Sequence, residues 1–222
     1  MGDCLEPLKE RLGSIVGEHA QMIDDSRLLL QNVWRVRLLP FRVIGRDDVG
    51  LVEDFPFCAT MVDFRGQLGD SRCTAGGGGE GPRSALDALF SAVIRSEWRP
   101  ETEAHRFVIL FTDAQPCSTL HPVTADGGPD DVSEVRQVIR IRRAHPVFLA
   151  PRSPELEAIY GSYPSGRRAD ASKTFPLFAT AEDARDYFMM DTREKRDHFA
   201  RGLAHLTEPV VGCIGPCEGC LD

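Results

Sequence analysis

The sequence has no run of about 18 consecutive apolar residues, the length a membrane-spanning helix needs, so no transmembrane helix is expected. Its first residues, MGDCLEPLKERLG, carry acids and contain no apolar stretch, so no signal peptide is expected either. Positive charge is in deficit: Lys and Arg total 26 against 34 Asp and Glu, a formal net charge of −8. A chain of that sign repels phosphate backbones, so nucleic acid is not an expected partner. Arg136, Arg140 and Arg143 do recur at helical spacing, and they are read as a solvated helix face. Cysteines number seven, an odd count, and Cys4, Cys58, Cys73 and Cys117 are scattered. That pattern fits reduced thiols in the cytoplasm better than a secreted disulfide framework. There is no internal repeat, and no low-complexity segment beyond the glycine run at 76–79.

With 42% hydrophobic and 27% charged residues over 222 positions, the composition is that of one globular core. Leu5, Leu8, Leu12, Ile15, Val16 and His19 recur every three or four residues and predict a helix over about 3–22. The segment 33–44, VWRVRLLPFRVI, reads as a strand, and 61–68 as a short helix. Residues 83–98 keep helical period through Ala85, Leu86, Leu89, Phe90, Val93 and Ile94, with Pro82 at the first turn. The run RFVILFT at 106–112 fits a strand buried on both faces of a parallel sheet. A loop over 117–129, a helix over 132–143, a strand over 146–150 and a helix over 154–160 follow. A polar loop, a strand over 174–179 and a helix over 181–206 complete the series. Such alternation predicts a mainly parallel sheet between helical layers. Ligands of such sheets sit beyond the carboxyl ends of the strands, which singles out Asp113 at the end of RFVILFT.

Several constellations carry chemistry. Cys213, Cys217 and Cys220, spaced x3 and x2, are suited to Zn²⁺, with His198, His205 or another chain as the fourth ligand. The main alternative is a tail with free thiols, with a disulfide or redox role behind it; an iron–sulfur cluster of the radical-SAM kind shares the spacing but needs a following barrel, and only Leu221 and Asp222 remain. Ser118, His121 and Asp126 lie close in sequence but without the strand-turn-helix elbow of a serine hydrolase. Cys117 near His121 raises the question of an activated thiolate. Both groups are read instead as part of a loop lining a binding rim. The glycine run is not a phosphate loop, because no Gly-Lys-Ser/Thr follows it. Trp34 and Trp98 are read as core.

The block GGGGEGPRSALDALFSAVIRSEWRPETEAHRFVILFTDAQP, residues 76–116, resembles the middle of a bacterial-type von Willebrand factor type A domain: glycine-rich loop, helix, Trp-Arg-Pro turn, apolar strand, Thr-Asp-Ala. Upstream, RVRLLPFRVIGRDD resembles the second strand of that fold and MGDCLEPLKERLG its first helix. The resemblance covers residues 1–206 and leaves 207–222 as a Cys-rich tail. It implies a three-layer α/β domain, Rossmann-like, with a mostly parallel central sheet flanked by helices. The first central strand is absent or supplied otherwise: by residues upstream of Met1, by a partner chain, or by 209–214 folding back. In the family an Asp-x-Ser-x-Ser loop, an acid or Thr of the glycine-rich loop and the Thr-Asp-Ala aspartate hold Mg²⁺. Here that first motif is missing, Asp113 maps cleanly, Glu80 is the nearest loop acid, and Arg83 stands where relatives carry a carboxylate. The implied Mg²⁺ site is therefore degenerate, and an Arg83–Asp113 ion pair is an alternative to the metal's charge.

The resemblance further implies a non-catalytic adaptor or scaffold. Its rim comprises Gly78, Gly79, Arg83, Gln115, Ser118 and His121. Its expected partners are proteins, such as an AAA+ ATPase or another subunit encoded in the same operon. The alternative is a metal-dependent enzyme, or a redox or zinc protein, using Cys213, Cys217 and Cys220.

Overall fold

The computed structural model describes residues 6, 9–10, 12–13, 35–45, 51, 53–73, 84–100, 102–104, 106–125, 131–160 and 178–189. The glycine-rich loop at 76–83 lies outside these, as do Trp34, Asp126, His198, His205, most of the 174–179 segment and the tail with Cys213, Cys217 and Cys220. So does most of the expected first helix, of which residues 6, 9–10 and 12–13 are helical.

The described chain is mixed α/β. In order it contains α1 (Met61–Leu68), α2 (Ala85–Ile94), β1 (Arg106–Phe111), α3 (Pro122–Ala125), α4 (Val132–Ile141), β2 (Ala144–Leu149), α5 (Pro154–Tyr160) and α6 (Ala181–Met189). No helix among the described residues is long and apolar enough to cross a membrane.

β1 and β2 pair in parallel, from Arg106 opposite Ala144 to Phe111 opposite Leu149. The connection between them carries α4, as a parallel pair requires a long crossover. α4 begins because Asp131 caps it: its Oδ1 accepts the amides of Ser133 at 2.7 Å and Glu134 at 3.1 Å. The helix buries Val135 and Ile139, one turn apart, and leaves Arg140 and Arg143 exposed, as a solvated face should be. It ends where Arg143 takes a left-handed conformation, φ 49°, turning the chain into β2. α5 starts with Pro154 in its first turn, and Ser153 Oγ accepts the Leu156 amide at 3.2 Å.

One face of the β1–β2 pair forms the main core. Leu110, Ala144, Phe148 and Ala150 pack with Leu86, Leu89 and Val93 of α2, Val135 and Ile139 of α4, and Leu156 and Ile159 of α5. Tyr160 ties α5 to β2: its ring lies 4.6 Å from that of Phe148, and its hydroxyl accepts the Phe148 N–H at 2.9 Å. Burial outweighs that hydrogen bond and pushes the Tyr160 hydroxyl up to about 12, from an ordinary 10. Because the folded value is the higher, this group's contribution to stability is complete below pH 10 and disappears as pH rises from about 10 to about 12. The Tyr160→Phe variant should therefore lose stability less steeply than the parent across that window. The difference in slope should be at most about 1.4 kcal/mol per pH unit, read by urea unfolding at a series of alkaline pH values. Identical slopes would sink the assignment.

The segment expected as a strand at 33–44 is extended over its described part but forms only isolated antiparallel bridges, Val36 to Cys58 and Phe41 to Leu51. Pro40, which has no amide hydrogen, falls between them and interrupts any ladder. This segment instead covers a second cluster of Cys58, Phe64, Leu68 and Met61, organised by Gln67. The Gln67 side chain donates to the Pro56 carbonyl at 2.6 Å and accepts the Leu38 amide at 3.0 Å. Arg35 and Arg37 stack over Phe57, which leans on Trp98 at 5.2 Å. Trp98 is half-buried and its Nε1 donates to the Ala92 carbonyl at 3.0 Å.

Candidate functional site

The carboxyl end of β1 is where a parallel sheet presents its ligand edge. The Thr112 amide still donates to the Leu149 carbonyl at 3.1 Å, and then the chain turns away. Thr112 Oγ1 accepts the Ala114 amide at 3.2 Å, a local turn that fixes the intervening Asp113. Asp113 is 3% exposed, so it sits beneath the edge rather than on it. The exposed groups beside it are Gln115, Ser118 and Thr119. Gln115 Nε2 reaches the Arg152 carbonyl at 3.5 Å, linking the loops that follow β1 and β2.

His121, expected on the rim, is half-buried and turned inward. Its Nδ1 accepts the Val123 amide at 3.2 Å, and its ring lies against Gly45. A Cβ at Gly45 would stand 3.1 Å from His121 Nε2 and press on the ring, and φ there is 78°, a backbone conformation that favours glycine. The His121 imidazole is thus occupied locally, and no hydrogen bond joins it to Ser118 among the described residues. The loop expected at 117–129 contains the short α3, started by His121 and Pro122.

Beneath this loop runs a polar stripe on α2 that the sequence reading did not single out. Ser84, Asp87, Ser91 and Arg95 follow one another at spacings of three, four and four, and the first three are at most 3% exposed. Ser84 Oγ accepts the Ile44 amide at 3.1 Å, and Asp87 Oδ1 accepts the His121 amide at 2.8 Å. Ser91 donates to the Glu53 carboxylate. Arg95 joins Glu53 at 3.0 Å and reaches the Thr124 carbonyl at 3.3 Å. Buried polar groups need partners, and here those partners are the backbone of 41–45 and 121–124 and the side chain of Glu53. The stripe clamps the rim loop to the helix. Its signal was present in the sequence as polar residues at helical spacing inside an apolar helix.

Cys117 is half-buried above the same stripe. Burial, reinforced by the Asp87 charge, pushes its thiol above the ordinary range. A thiol so placed is the reverse of an activated nucleophile, and His121, whose Nδ1 accepts the Val123 amide, makes no hydrogen bond to it among the described residues. Iodoacetamide at pH 7.5 should label Cys117 more slowly than free glutathione, as followed by peptide mass mapping. Faster labelling would contradict the geometry.

For a divalent cation the donor set is thin. Mg²⁺ needs an octahedral array of hard oxygens. Among the described residues no group of three His, Cys, Asp or Glu side chains stands together, and Asp113 supplies a single carboxylate. The described donors do not fit a Mg²⁺ site. Glu80, Arg83, Gly78 and Gly79 lie outside the described residues, as do the three tail cysteines proposed for Zn²⁺.

No family model matches the chain, and no curated protein matches it.

Proposed function

We propose that this chain is a non-catalytic protein-interaction domain of the von Willebrand factor A kind, a three-layer α/β fold acting in the cytoplasm as an adaptor or scaffold. One observation carries the reading: a parallel pair, β1 and β2, ends in a buried aspartate, Asp113, beneath an exposed polar lip of Gln115 and Ser118. That lip is firmly held, since Asp87 and Arg95 clamp the loop behind it. A fixed, polar edge offers contact area with little ordering cost on binding. The raised Cys117 thiol and the inward His121 favour docking over nucleophilic chemistry. The partner is another protein, an AAA+ ATPase or a subunit of the same assembly.

The test is affinity capture from the source cells with the parent chain and with Ser118→Arg, a bulky change at an exposed position that leaves the core untouched. The parent should retain a partner at about one per chain. The variant should lose it with no change in melting temperature. Equal capture by both would remove the rim from the reading. Calorimetric titration with Mg²⁺ is a second arm, and stoichiometric binding would restore the cation site that Asp113 alone does not supply.

A further inference from the structure

α4 has a second face that neither the core nor the rim uses. Val135 and Ile139 turn inward and are at most 2% exposed. On the opposite side Ser133, Arg136, Gln137, Arg140 and Ile141 follow one another at helical spacing and line an open hollow of about 520 Å³. Ser133, Gln137 and Arg140 are exposed, and Arg136 is half-buried. Ile141, one turn beyond Gln137, is 64% exposed. A single isoleucine on a surface is ordinary. Here it borders the hollow together with two arginines.

Charge sets this face apart. Residues 132–143 carry four arginines and a single acid, Glu134, in a chain whose net charge is −8. Among the described residues the Arg136 and Arg140 side chains have neither a hydrogen-bond partner nor an ion pair. Other arginines are engaged: Arg72 holds Asp54 and Asp70, Arg95 holds Glu53, and Arg106 donates to two carbonyls. With 34 acids against 26 bases in the chain, Arg136 and Arg140 do not stand apart for want of carboxylates.

We propose that this face of α4 docks an acidic segment of another protein, with two carboxylates for Arg136 and Arg140 and an apolar side chain for Ile141. One turn separates the two arginines, so carboxylates about 5–6 Å apart, as at i and i+4 of a helix, meet both. Arginine clusters recognise acidic motifs through such pairs. Ile141 follows Arg140 directly and sets the apolar contact at one end of the pair. That residue also argues against a nucleic acid, whose phosphate backbone offers no apolar partner, and the net charge of −8 repels a long polyanion and a second copy alike. Exposed ion pairs contribute little each, so the affinity is modest and falls with salt. The face lies apart from the lip at Gln115 and Ser118 and stands whether or not that lip docks a protein.

The experiment is a titration of the full chain, at low salt, with the end-blocked probe peptide Glu-Leu-Leu-Ala-Glu-Leu-Leu-Ala-Glu, read by NMR amide shifts and by fluorescence anisotropy. Shifts should gather at 133–141 and leave 113–118 unmoved. The double variant Arg136→Ala, Arg140→Ala should weaken binding at least about tenfold, and Ile141→Ala about threefold, with the melting temperature unchanged. Arg65→Ala, which removes a positive charge from the exposed side of α1, should alter the affinity by less than about twofold. A glutamine version of the peptide should bind at least about tenfold more weakly. Replacing the chain's own terminal acids together, by Glu208→Gln, Glu218→Gln and Asp222→Asn, should leave the affinity within about twofold. Tighter binding by that variant would overturn the proposal, because the chain's own end would then be the occupant. So would an oligothymidylate of equal charge that binds as tightly as the peptide, shifts centred outside 133–141, or an absence of binding.

Discussion

Phe148→Ala should destabilise the protein by about 3 to 5 kcal/mol, the usual cost of truncating a fully buried phenylalanine. Phe148 is 0% exposed at the centre of the main core, where β2 meets α2, α4 and α5. Its removal takes away the ring that packs on Tyr160 at 4.6 Å and leaves a cavity walled by rigid elements on three sides. Leu156 and Ile159, each 0% exposed, are fixed on α5 and have little room to collapse into the gap. Phe148→Leu keeps most of the volume and should cost less than about 1.5 kcal/mol. Phe107→Ala removes the same side chain from a half-buried position on β1 and should cost well under half as much as Phe148→Ala. Urea unfolding with an unchanged m-value is the measurement. Equal losses at Phe148 and Phe107 would mean that β2 is not the more deeply buried of the two strands.

The elements with one dominant physical signal were legible in the sequence. RFVILFT, the PVFLA segment and the helices at 61–68, 132–143 and 154–160 stand close to where residue pattern placed them, and each of the three helices opens on a side-chain cap, from Thr60, Asp131 or Ser153. The parallel pairing followed from strands alternating with helices. The 33–44 segment was misread because β-branched and aromatic content outvoted Pro40, which decides whether a ladder can form. RFVILF was expected to be buried on both faces, and Phe107, Val108 and Ile109 are half-buried, because composition reports what a strand could bury and not how deeply it is buried. At the site, Asp113 was found because strand ends are where the fold puts ligands. His121 was assigned to the rim from its neighbours alone, and the contact with Gly45 that turns it inward joins residues 76 positions apart. The Asp87 clamp was overlooked for a related reason. Reading α2 for its apolar residues explains its burial but passes over the polar residues that are buried with them.

That clamp gives the second large effect. Asp87→Ala should cost about 2 to 3 kcal/mol, because it deletes a charge-assisted hydrogen bond and leaves the His121 amide without its acceptor in a confined place. Asp87 is 1% exposed, so water does not readily replace the lost carboxylate. The loss should be local first: amides in 119–125 should exchange faster well before global unfolding, since the Arg95–Thr124 hydrogen bond and the apolar packing of Leu120 would be left to hold this loop. Asp87→Asn separates the hydrogen bond from the charge. Its amide oxygen can still accept the His121 N–H, so most of the stability should return. The charge, however, is gone, and with it one of the two influences that hold the Cys117 thiol high. Cys117 should then be alkylated faster in Asp87→Asn than in the parent at the same pH, while burial keeps it slower than free glutathione. A variant that restores stability without quickening Cys117 would show that the carboxylate acts on the loop only as an acceptor. One that quickens Cys117 without restoring stability would show that its charge, not its geometry, holds the rim in place.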